Sequence, residues 1–121
     1  MAKAGGISVH AIDVSRGVPA RGLGVALYRI EDGGRILIAE GRCGANGALE
    51  HPVAGGEGAT AGLYEAVFAI GDYFRAEGID VPDPAFLEAA PFRFGLAAPE
   101  QHYHLPLKFT PWGFSLFRGG A

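Results

Sequence analysis

Leu23-Gly24-Val25-Ala26-Leu27-Tyr28-Arg29-Ile30, then Asp32-Gly33-Gly34, then Arg35-Ile36-Leu37-Ile38-Ala39-Glu40 is the stretch that decides the fold class. Two apolar runs of strand length flank a glycine pair. Leu23, Val25 and Leu27 recur every second residue, the period that places side chains on one face of a strand. Glycine reaches the positive φ values that tight hairpin turns require, so the stretch reads as a β-hairpin.

The same grammar runs outward in both directions. Ile7–Val14 (ISVHAIDV) is β-branched-rich, with Ser8, His10, Ile12 and Val14 on one face and Ile7, Val9, Ala11 and Asp13 on the other. Ser15-Arg16-Gly17-Val18-Pro19 breaks it, and Asn46-Gly47 is a second hairpin-type turn. Residues 52–62 are glycine-rich and aperiodic, a loop; Leu63–Ile70 is the next strand. Asp72–Glu77 forms one short helix with Asp72 as its cap and Gly78 as its stop. Phe92–Leu96, His102–Phe109 and Phe114–Arg118 supply the last strands, and Pro106 confines the second of these to an edge or a bulge. About eight short strands and one small helix make an all-β sandwich, one domain over residues 1–121.

Composition agrees. The 121 residues include 20 Gly and 8 Pro, which argues against a long-helix bundle, while 49% hydrophobic residues suffice for a core. A net charge of −3 carries no electrostatic footprint for nucleic acid or an anionic membrane. The single Cys43 cannot form an internal disulfide and reads as a small buried thiol. Met1–Gly6 lacks the apolar stretch of a secretion signal, and no segment has the apolar length of a membrane span; the expectation is a soluble, cytoplasmic protein.

The titratable candidates are His10, His51, His102 and His104. His102 and His104 share a strand face with Tyr103 opposite, as a solvent-facing pair or, with His10 as a third ligand, a metal site. His10 sits mid-strand in an apolar run, where it must find a partner or meet solvent. His51, beside Pro52 in a loop, reads as a surface residue. No phosphate-loop or dinucleotide-binding glycine spacing is present.

Both ends of the chain carry a resemblance. Ile7-Ser8-Val9-His10-Ala11-Ile12-Asp13 with Gly17-Val18-Pro19-Ala20 resembles the opening of the 5-hydroxyisourate hydrolases, transthyretin-related enzymes of purine breakdown. Gly71-Asp72-Tyr73-Phe74 is similar to their short helix. His102-Tyr103-His104-Leu105-Pro106-Leu107, with Pro111-Trp112-Gly113-Phe114-Ser115 and Phe117-Arg118-Gly119, is similar to their terminal signature.

The resemblance implies a transthyretin-like sandwich of two four-stranded sheets with one short helix, assembled as a homotetramer with sites at subunit interfaces. It implies a purine-derived substrate, no metal or organic cofactor, and His10 and His104 as the catalytic pair, with His102, Arg118, Ala48, Phe117 and Gly120 around the substrate. Three departures stand out. Ala48, in Asn46-Gly47-Ala48, replaces the arginine of a D-G-R turn; Phe117 replaces a tyrosine and Gly120 a terminal serine. These replacements make the pocket larger and less polar than the family's, which suits a substituted, for example N-methylated, hydroxyisourate; a hydrolase acting on hydroxyisourate itself would take the lost charge from Arg42 or Arg118. The alternative is a non-catalytic small-molecule binder that kept the tetramer.

Overall fold

The computed structural model describes residues 5–55 and 59–119. Among the described residues eight strands form two four-stranded sheets, with one α-helix: β1 Ile7–Asp13, β2 Val18–Pro19, β3 Gly24–Glu31, β4 Gly34–Arg42, β5 Gly62–Phe68, α1 Ile70–Ala76, β6 Ala90–Leu96, β7 Tyr103–Thr110 and β8 Gly113–Leu116. The first sheet has the order β2-β1-β7-β8 and the second β4-β3-β5-β6. The two four-stranded sheets with one short helix are those of the transthyretin-like sandwich that the resemblance implies.

The β3–β4 hairpin closes on Asp32-Gly33, with Glu31 opposite Gly34 and Gly33 at φ 82°. Alternation then builds the core. Ile7, Val9 and Ala11 of β1 lie beside Tyr103, Leu105 and Leu107 of β7, and Val25, Leu27, Tyr64 and Phe68 of the second sheet join them in one core. Fully buried Asp13 at the end of β1 binds Arg16 Nε at 2.8 Å and accepts from the Tyr73 hydroxyl at 3.1 Å, tying the strand to α1.

Strands far apart in the sequence, β1 and β7, meet in the middle of the first sheet. β1 and β7 pair in parallel, with Ser8 beside His104 and His10 beside Pro106. Because even residues lie beside even residues, the polar sides of both strands share the outer face.

Four details differ from the sequence reading. The helix starts at Ile70, not Asp72, after Ala69, which makes no side-chain cap. Ile70, Tyr73 and Phe74 form its buried stripe, so core packing sets its start, while Asp72 pairs with Arg75 at 3.2 Å. Pro52–Gly55 forms a 3-10 turn within the expected loop, and Val18–Pro19 pairs with β1 where a break was expected.

Pro106 lies in an interior strand, not at an edge. The Tyr103 amide reaches Gly6 and the Phe109 carbonyl accepts from Val14, so odd residues of β7 bond towards β1 and even ones towards β8. The missing Pro106 donor therefore faces the gap between β8, which ends at Leu116, and the bridge of His104 to Gly119. Phe117 and Arg118 lie past the end of β8. Among the described residues no helix is long and apolar enough to cross a membrane.

Candidate active site

The outer face of the first sheet brings Ser8, His10, His102 and His104 together. β1 supplies the first two, and β7 with the residue just before it supplies the others. Ser8 Oγ lies 2.7 Å from His102 Nε2 and 2.7 Å from His104 Nδ1. His102 Nδ1 lies 2.6 Å from the Gly5 carbonyl oxygen. Tyr103 between them is buried, so the pair shares a face with the tyrosine opposite, as the strand period requires.

His10 takes its partner from a loop. Its Nε2 donates to the Asn46 carbonyl at 2.7 Å. The loop docks along the open side of β1, with the Ala11 amide on the Gly47 carbonyl, the Leu49 amide on the Val9 carbonyl, and Ala48 bridged antiparallel to His10. Gly47 has φ +86°, and a Cβ there would stand 2.4 Å from the Ala11 carbonyl oxygen, so only glycine permits this docking. Asn46 Oδ1 holds the Ala48 amide at 2.9 Å. The bridge sets Ala48 beside His10.

The other side is closed by the segment at Gly119. The Gly119 amide donates to the His104 carbonyl at 2.7 Å, and a Cβ on Gly119 would approach His104 Cδ2 to 2.8 Å. Sequence reasoning passed over Gly119; its signal was a glycine in the terminal signature itself. Gly120 lies outside the described residues. Phe117 is exposed. Arg118 stacks on Tyr103 at 3.9 Å and donates to Gln101 Oε1 at 2.9 Å and the His102 carbonyl at 3.3 Å. Its guanidinium supports the His102 segment. Arg42 belongs to the second sheet, where it lines a cavity of about 400 Å³ beside α1, apart from the histidine face.

Burial, helped by His10 and His102 nearby, holds the His104 imidazole below its ordinary pKa. This favours a neutral ring, the form that accepts a proton. His51 corrects the sequence reading: it is half-buried, both ring nitrogens lack a hydrogen-bond partner among the described residues, and burial lowers its pKa. Leu49 and Val53, packed into the core on either side of it in the chain, draw it inward. Cys43 is buried, and burial raises its thiol pKa to about 11. Among the described residues no three His, Cys, Asp or Glu side chains converge as a metal-ligand set.

Comparison with known proteins matches residues 7–119 to the HIUase/transthyretin family. The chain is 45% identical to 5-hydroxyisourate hydrolase 2 of Rhizobium meliloti, over 98% of this chain and 99% of that one. Among solved structures it resembles (S)-allantoin synthase, with a TM-score of 0.89 and 35% identity, covering 98% of this chain and 45% of the other. The chain therefore spans less than half of that protein. It also resembles the 5-hydroxyisourate hydrolase of Klebsiella pneumoniae, with a TM-score of 0.77 and 27% identity, covering 99% and 97% of the two chains.

Proposed function

The chain belongs to the HIUase/transthyretin family, and from that premise we propose that it is a hydrolase opening the six-membered ring of 5-hydroxyisourate or an N-substituted analogue. The observation that carries the reading is the presence of His10 and His104 on one sheet face, two register steps apart, with His104 biased to its neutral form. A scaffold that only bound a ligand would have no need of such a proton acceptor.

The chemistry follows from these groups. Neutral His104 takes a proton from water as the water oxygen bonds to the ring carbonyl carbon. The tetrahedral adduct then breaks its carbon–nitrogen bond. The His104 imidazolium returns the proton to the departing ring nitrogen, and the new carboxylic acid ionises to solvent. The sum is one water added across one cyclic amide bond. His10, whose Nε2 is engaged by Asn46, keeps Nδ1 to orient water or a substrate N–H.

Ala48, beside His10, makes that flank small and apolar, which supports tolerance of an added methyl group. The histidine face is open in the single chain, and Phe114 on the edge strand β8 and Phe117 just past it are exposed. Both features support a homotetramer in which a facing subunit completes the cleft. The test is to generate hydroxyisourate and its N-methylated analogue in situ with an oxidase and follow their decay. Acceleration of either supports the reading; acceleration of neither overturns it.

A further inference from the structure

We propose that Ser8 and His102 are positioning residues that fix the tautomer of His104, placing its hydrogen on Nδ1 and leaving Nε2 as the basic nitrogen. This rests on the reading of His104 as the base.

The argument starts at a group with no hydrogen to give. The Gly5 carbonyl can only accept, so His102 Nδ1, 2.6 Å away, carries the hydrogen. A neutral imidazole has one N–H, so His102 Nε2 is bare and must accept. Its partner at 2.7 Å is the Ser8 hydroxyl, whose single hydrogen is spent there. The remaining contact, 2.7 Å from Ser8 Oγ to His104 Nδ1, then needs its hydrogen from the histidine. His104 Nε2 is left without one. Only one direction of hydrogen bonding satisfies the chain while His102 is neutral; a second proton on His102 would turn the Ser8 hydroxyl round.

The backbone holds this chain in place. Ser8 and His104 are register neighbours on parallel strands. Gly5 is pinned through its amide to the Pro99 carbonyl at 2.7 Å, and a Cβ on it would lie 2.1 Å from the Gln101 carbonyl. Only glycine brings the carbonyl within reach of His102. His10, donating through Nε2 to Asn46, is held as the opposite tautomer, so the two histidines present different ring nitrogens.

The test is nitrogen-15 NMR of the full chain with labelled histidine at about pH 8.5, above the ordinary imidazole pKa of about 6.5. Wild-type His104 is expected as the Nδ1–H tautomer. Ser8→Ala should move it towards Nε2–H and lower kcat for ring opening about tenfold or more with KM within about twofold. Ser8→Thr, which keeps the hydroxyl, should restore both. An Nε2–H His104 in the wild type overturns the proposal, as does a Ser8→Ala variant with unchanged tautomer and kcat. If Ser8→Ala fails to fold, the wild-type tautomer decides alone. An active enzyme with the wrong tautomer sinks the relay and leaves the hydrolase reading. The expected tautomer in a protein that opens no ring sinks the hydrolase reading instead.

Discussion

His10 and Ala48 face one another across an antiparallel bridge, so the flank of the histidine face along β1 carries a methyl group and no cation. Ala48→Arg places a guanidinium there. One charge-assisted hydrogen bond to an anionic substrate is worth about 1.5–3 kcal/mol, so KM for hydroxyisourate should fall about tenfold or more. The N-methylated analogue should gain less, because the added bulk fills the space its methyl group needs. Steady-state kinetics on both substrates checks this, and equal effects would contradict the assignment of Ala48 to the pocket wall.

Gly119→Ala tests the other wall. The added Cβ would meet His104 Cδ2 at 2.8 Å and Pro106 Cδ at 3.3 Å. The ring must shift, and misplacement of a reacting group costs on the order of 10²-fold in rate. A variant of wild-type activity would show that the Gly119 segment does not position His104.

Sequence periodicity assigned the faces of β1 correctly, because a half-buried strand must alternate. It also put His102 and His104 on one side of Tyr103. It could not show that β1 and β7 pair in parallel, since register depends on contacts far apart in the chain. That pairing is what turns two separate histidine motifs into one face with Ser8 between His102 and His104. Pro106 misled for a related reason: its missing donor mattered only on the β8 side, where the ladder lapses. The helix start at Ile70 was hidden because an apolar residue there continues the strand pattern as well as it begins a helical stripe. His51 was misread because a loop position says nothing of burial.

Activity and stability should both fall in acid. His104 accepts a proton only when neutral, and its pKa is depressed, so kcat/KM should rise with pH through a value below about 6.5 and then level off. For His51 and His104 the folded pKa lies below the unfolded one. The unfolded chain therefore binds protons first as pH falls. The stability these groups contribute is present above about pH 6.5 and is lost as pH drops through their folded values. Denaturant titrations at a series of pH values check the sign; greater stability at pH 5 than at pH 7 would contradict it.

His51→Phe should soften that loss. The substitution removes two ring nitrogens that lack partners among the described residues and keeps an aromatic ring in the half-buried site. At pH 5.5 the variant should melt at or above the wild-type temperature. A fall of several degrees would mean that His51 has a partner worth keeping.

Cys43 should resist thiol reagents in the native state. It is buried and its pKa is pushed up to about 11, so little thiolate exists at neutral pH. Labelling should proceed only as fast as the fold opens, and rapid native labelling would contradict its placement.

The most direct measurement is the first-order decay of oxidase-generated hydroxyisourate or its N-methylated analogue with equal amounts of wild-type protein and His104→Ala. General-base catalysis contributes about 10²–10⁴-fold, so the variant should lose at least 10²-fold of the wild-type rate while keeping its folded spectrum. A His104→Ala protein as active as the parent would contradict the account.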